Sequence, residues 1–171
     1  MNIIKLLSNS GLISAERRLE WFPPFRNLGI RVLRLSADWR QVRILLPLQR
    51  QNRNPGGSMF GGAIACLADP IPALACNRLF PGHAVWTRQL QIDFVQPGTD
   101  DLVLDFDFNT EIESQIDKDL TDKGRSTPSF EYGLYLPAGE LSARVKNWVA
   151  IRPLGDASDK RGAMSISKID E

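Results

Sequence analysis

Histidine occurs once in this chain and cysteine twice, and no stretch reaches the ~20 apolar residues of a membrane span. Each scarcity removes a class of chemistry. The one histidine, His83, lies in a Phe-Pro-Gly-His turn, which argues against a Ser-His-Asp triad centred on it. No Cys/His cluster has metal-ligand spacing, so neither a metal nor a bound cofactor is expected. Cys66 and Cys76 on one continuous helix would stand about 15 Å apart, well beyond the ~7 Å Cα separation of a disulfide. They are expected as free thiols, small buried hydrophobes of the core that suit a reducing cytoplasm. Residues Met1 to Leu7 lack a long apolar stretch followed by a small-residue cleavage site, so no signal peptide is read there. A charge excess is lacking too: 21 Lys and Arg against 20 Asp and Glu leave a formal net charge of +1. That argues against nucleic acid as the main partner.

What is present suits one compact domain with a hydrophobic core. Residues 2–21 have helical spacing, with Ile3, Ile4, Leu6, Leu7, Leu12, Ile13 and Leu19 on one face and Ser14 as a candidate N-cap. The basic charge is too thin for a membrane-surface helix, so stable membrane association is not expected. Pro23-Pro24 ends this lead. Gly29 to Ser36 and Gln41 to Leu46 read as a β-hairpin. Val85 to Val95, Leu102 to Phe108, Phe130 to Leu136 and Leu141 to Ile151 read as four further strands, the first with Trp86, Arg88, Leu90, Ile92 and Phe94 on one parity and Thr87, Gln89, Gln91, Asp93 and Val95 on the other. Glu111-Ile112-Glu113 extends a strand in this reading, and Ser114 to Pro128 is a polar, mobile loop. The expected organisation is a helical segment over 1–24, the main domain over 25–154 and a flexible tail over 155–171.

The chain is organised around residues 54–77. A small-residue turn leads into Gly61 to Leu79, apolar on nearly every face, which places that helix in the core. Asp69 is its one carboxylate, and a buried acid is costly without a purpose. The glycines at its start leave backbone N–H groups unpartnered, an arrangement that attracts negative charge. Pro70 and Pro72 interrupt the helix. Each removes an N–H, freeing the carbonyls of Cys66 and Ala68, so a kink or a break with restart is expected after Asp69. The break serves either shape alone or space beside Asp69.

Asn54, then Gly57-Ser58-Met59-Phe60-Gly61-Gly62, then Leu67-Ala68-Asp69 resembles the signature of hotdog-fold thioesterases of the phenylacetate-pathway (PaaI-like) type. That signature has Asn, a short gap, Gly-(Ser/Thr)-x-His-Gly-Gly, and an Asp on the following helix. The spacing agrees without gaps. Met59-Phe60-Gly61-Gly62 with Asp69-Pro70 and Trp86 most resembles the branch known as a domain of unknown function (DUF4442), over roughly Phe22 to Leu154. From pattern alone the fold class is α+β, an antiparallel sheet packed on a helix. The resemblance implies a hotdog, a curved antiparallel sheet wrapped around a long central helix. It also implies homodimers or dimers of dimers with active sites at the subunit interface.

The resemblance assigns roles, and each has a plainer structural counterpart. Asp69 would activate water or attack the acyl group, or else it caps the segment after the prolines. Gly61 would polarise the thioester carbonyl through its N–H, or else it only permits the turn. Gly62 fits close packing. Asn54 would orient the substrate, or else it forms a turn before Pro55. Thr87 falls where some relatives hold the nucleophilic water, or else it is a β-branched strand residue. Met59 and Trp86 wall an acyl pocket or pack in the core. Phe60 stands where many catalytic relatives carry His, and phenylalanine neither donates a hydrogen bond nor carries charge. The reading is a thioesterase acting on a coenzyme A or acyl-carrier thioester, with CoA phosphates met by one of Arg78, Arg88, Arg125 and Arg152. The alternative is a hotdog protein that binds acyl-CoA or another apolar ligand without turnover. A hotdog dehydratase is disfavoured, because no Asp-His pair of the kind that family uses is present.

Overall fold

The computed structural model describes residues 14–155. Residues 1–13 and 156–171, which include most of the expected helical lead and the expected tail, lie outside the described residues. Helix α1 (Ala15–Trp21) begins at Ser14, whose hydroxyl accepts from the Arg17 N–H at 3.3 Å. Pro23-Pro24 does not end the helical section as expected. It opens a second helix, α2 (Pro23–Leu28), because the first helical positions have no use for the N–H that proline lacks. Gly29, left-handed at φ 68°, closes α2.

Six strands form one antiparallel sheet: β1 (Arg31–Leu35), β2 (Gln41–Leu46), β3 (His83–Phe94), β4 (Leu102–Asp107), β5 (Ser129–Tyr135) and β6 (Leu141–Pro153). Their spatial order is β1-β2-β4-β5-β6-β3. Alternation decides which side chains face inward. Val42, Ile44 and Leu46 of β2 lie opposite Phe106, Leu104 and Leu102 of β4, and all six are buried. Strand β3 departs from strict alternation. A bulge at Arg88 lets Thr87 pair with Val149 and Gln89 with Trp148, so side chains beyond it change face.

The central helix comes in two pieces, α3 (Gly61–Ala68) and α4 (Ile71–Leu79), with Asp69-Pro70 between them. This is the expected break. Every residue from Ile71 to Cys76 is buried, and α4 packs on β3 and β6. Burying each large aliphatic side chain here contributes on the order of 2 kcal/mol. Cys76 is buried as expected, but Cys66 is exposed, because it sits on the face of α3 that the sheet leaves uncovered. Both thiols are free.

The segment expected as a strand extension and mobile loop is a third long helix, α5 (Thr110–Lys123). Asn109 caps it, its side-chain oxygen accepting from the Glu111 N–H at 2.7 Å. Gly124, left-handed at φ 66°, ends it. Ile112, Ile116 and Leu120 recur every four residues and hold it to the core, with Ile116 fully buried. The stripe is one residue wide, so the polar majority masks the helical period.

The two sheet edges differ. At β1 the helix α1 packs alongside, and Glu20 accepts from the Val32 N–H at 2.9 Å. At β3 the only pairing among the described residues is with β6.

Candidate active site

Two features of the central helix carry chemistry, one at each end of α3. At its start, Phe60 has extended backbone and offers no side-chain cap. The Ala63 and Ile64 N–H groups both bond the Phe60 carbonyl, leaving the N–H groups of Gly61 and Gly62 without a protein partner among the described residues. They form a donor pair at a helix N-terminus, where a developing oxyanion is stabilised. The glycines are also needed for space. A Cβ at Gly61 would stand 3.0 Å from the Phe94 ring, and one at Gly62 would collide with the Phe60 ring. Phe60, Phe94 and Val95 are all more than half or about half exposed, at 53%, 56% and 50%. An apolar patch therefore surrounds the free N–H groups.

At the other end of α3 lies Asp69. Two successive carbonyls at the break, that of Ala68, freed by Pro72, and that of Asp69, lack helical donors, and the sheet supplies them. Tyr132 of β5 donates its hydroxyl to the Ala68 carbonyl at 2.6 Å. Thr87 of β3 and Asn147 of β6 both donate to the Asp69 backbone carbonyl at 2.9 Å. Three strands thus fix the backbone that carries the acid. The carboxyl is half-buried, and burial raises it above its ordinary range. The nearby Thr87 hydroxyl offsets part of that rise, although its hydrogen bond goes to the backbone oxygen of the same residue. A carboxylate tuned upward in this way is a better proton acceptor.

The other sequence-predicted residues separate from these two. Asn54 uses its side-chain amide on Ser58, donating to the hydroxyl at 2.9 Å and accepting from the Ser58 N–H at 3.2 Å. It closes the turn that delivers the chain to Phe60. Met59 is buried in the core, its N–H bonded to the Gly98 carbonyl at 2.8 Å. Trp86 is half-buried beneath the Arg152 guanidinium, 5.8 Å from the ring centroid. Arg152 itself is held by Thr127 at 2.9 Å and by the Ser126 carbonyl. Arg78, Arg88 and Arg125 are exposed. Among the described residues no His/Cys/Asp/Glu cluster could hold a metal ion.

Tyr132 and Asn147 were missed by the sequence reading, and a signal existed for both. Ala143, Val145, Val149 and Ile151 of β6 all point inward, and the same alternation places Asn147 among them. Phe130 and Leu134 do the same for Tyr132. A lone amide and a lone phenol on an otherwise hydrocarbon face need partners, and the carbonyls left open at the helix break need donors. Among the described residues the Asn147 side-chain oxygen has no hydrogen-bond partner.

The described chain matches, over residues 14–149, the family described as Domain of unknown function (DUF4442). The chain belongs to that family. Among solved structures, it is similar to a Pseudomonas aeruginosa protein of unknown function described as a probable thioesterase, with TM-score 0.70 and 22% identity over 82% of this chain and 96% of that one. A Haemophilus influenzae thioesterase aligns with TM-score 0.64 and 15% identity, over 85% and 94% of the two chains. The phenylacetic acid degradation protein PaaI of Thermus thermophilus, as an Asn-to-Asp mutant, aligns with TM-score 0.56 and 20% identity, over 76% and 98%. No curated protein matches the chain by sequence. These likenesses establish the hotdog fold, and the antiparallel sheet around a broken central helix is that fold.

Proposed function

We propose that this protein hydrolyses a thioester of coenzyme A or an acyl carrier, in a site shared between two subunits. One observation carries the reading. Asp69 and Gly61 are eight residues apart on one helix, which is about 12 Å along its axis. They cannot act on the same carbonyl from one chain. They meet only if Asp69 faces Gly61 of the partner subunit. The free edge of β3, continuous with exposed Phe94 and Val95, is the surface that would bring them together. Strand-to-strand pairing there would also cover the apolar patch.

In that site Asp69 takes a proton from water, and the oxygen adds to the thioester carbonyl carbon. The oxyanion that forms accepts from the Gly61 N–H of the partner subunit. The carbon–sulfur bond then breaks, and the thiolate leaves and is protonated. Attack by Asp69 itself would give an anhydride that water opens, with the same products. Gly62 keeps the Phe60 ring in place, and Thr87 and Asn147 position the acid through its backbone.

The test is thiol release from short, long and aromatic acyl-CoAs by wild type and Asp69→Asn. Turnover by wild type that falls about a hundredfold or more in the variant is expected, the scale of losing one key group. No turnover across the panel would overturn the hydrolase reading. It would favour a non-catalytic hotdog that binds acyl-CoA or another apolar ligand. Exposed Phe60, apolar where the resemblance expects His, is the observation on that side.

A further inference from the structure

We infer that the cavity between α1, the β1–β2 turn and α4 binds a medium-chain carboxylate, at a site distinct from Asp69. The cavity holds about 340 Å³ and is partly open to solvent. That is the small end of the range for ligand pockets. Neither Asp69, Thr87, Gly61 nor Phe60 lines it. The site stands whether or not the protein turns over thioesters.

One stripe of its lining is Pro70, which caps α4, with Leu74 and Arg78 of α4 at four-residue steps beyond it. Leu19 and Phe22 of the α1 region and Trp39 of the β1–β2 turn line it as well. Trp39 is the one non-glycine residue among the described residues with positive φ, at 62°. A bulky side chain there is a true outlier, a strained backbone held by its surroundings. The turn holds it there by force. The Trp39 N–H donates to the Ser36 carbonyl at 2.9 Å, and Ser36 donates its hydroxyl to Asp38 at 2.6 Å. Arg40 then bonds both Asp38, at 2.8 Å, and Glu113 of α5. The strain presents an indole to the cavity, where a glycine would have closed the turn without cost.

The mouth selects charge. Arg18 and Arg78 line the cavity, both exposed, and neither has an ion pair among the described residues. The one acid in the lining, Glu16, lies in the first turn of α1. Two guanidinium groups over a hydrocarbon and indole interior fit an apolar chain with a carboxylate head. A guanidinium matches that head with two parallel hydrogen bonds.

The test is calorimetric titration of the full chain with decanoate, with decanol as the uncharged control. One decanoate per chain is expected, bound at least tenfold more tightly than decanol, since hydrogen bonds to charged groups are worth about 1.5–3 kcal/mol. Arg18→Gln with Arg78→Gln should bring decanoate down to the affinity of decanol. Leu74→Trp should fill the cavity and abolish both. Trp39→Gly, which suits the left-handed turn, keeps the fold and removes the wall, and should weaken both ligands together. Asp69→Asn should bind decanoate as wild type does. No binding by wild type, binding untouched by Leu74→Trp and Trp39→Gly, or binding lost in Asp69→Asn would each overturn the inference.

Discussion

Replacing Tyr132 by phenylalanine isolates the repair of the proline break. The ring volume is kept, so its edge-to-face contact with Phe106, at 5.5 Å between centroids, survives. What is lost is the hydroxyl that serves the Ala68 carbonyl. That carbonyl is buried, and Pro72 has no N–H to offer in its place. A buried acceptor left unpaired costs about 1–3 kcal/mol. For a chain of 171 residues, this corresponds to a melting temperature lower by roughly 2–12 °C. Pro72→Ala restores an N–H at the position that would serve this carbonyl in an unbroken helix. In that background, Tyr132→Phe should cost less, with a coupling of about 1 kcal/mol in a double-mutant cycle. Thermal and urea unfolding of the four proteins measure it. A loss below about 0.5 kcal/mol, the level of an ordinary surface change, or an equal loss in both backgrounds would refute the account.

Three further outcomes follow from the site. Burial raises the Asp69 carboxyl above its ordinary value of 3.8, so the folded state holds that proton more tightly than the unfolded chain. Stability from this group therefore falls as pH rises from 3.8 through the raised folded value. Asp69→Asn should melt higher than wild type at neutral pH, the gap closing as pH falls below 3.8; a gap independent of pH counts against a buried acid. Phe94→Glu should convert a dimer to a monomer by light scattering and remove turnover with it, whereas a dimer that persists would place the interface elsewhere. Cys66 should react with a maleimide before Cys76, which is buried and whose thiol burial pushes well up; labelling of Cys76 should wait for unfolding.

How much was legible depended on whether a residue's partners were close in sequence. The break after Asp69 was readable because Pro70 and Pro72 lie within the helix they interrupt. The N-cap at Ser14 was readable for the same reason. Helix α5 was signalled by Asn109, Gly124 and the spacing of Ile112, Ile116 and Leu120, but a stripe one residue wide was lost among charges. Tyr132 and Asn147 reach the break across 64 and 78 residues. Only the pairing of three strands with the helix joins them to it. The bulge at Arg88 was hidden similarly, since it exists only relative to β6.

The prolines change how the backbone around Asp69 is held. In an unbroken helix the backbone bonds run from each residue to the fourth before it, and the acid is positioned by its neighbours. Here the Asp69 N–H keeps its bond to Ala65, but the carbonyls of Ala68 and Asp69 take no helical donor. The donors come instead from β5, β3 and β6, so the sheet positions Asp69 directly. The carboxyl sits at the end of α3, where the Asp69 N–H still bonds the Ala65 carbonyl at 2.9 Å, while the carbonyls of Ala68 and Asp69 are satisfied by the sheet. The same strand that supplies Thr87 ends at Phe94, against Gly61. A shift of β3 on dimer formation would therefore reach the acid of one subunit and the donor of the same subunit together, each serving the opposite site. This predicts that Thr87→Val, which removes one of the two donors to Asp69, should lower kcat more than it weakens substrate binding, while Thr87→Ser, which keeps the hydroxyl, should restore it.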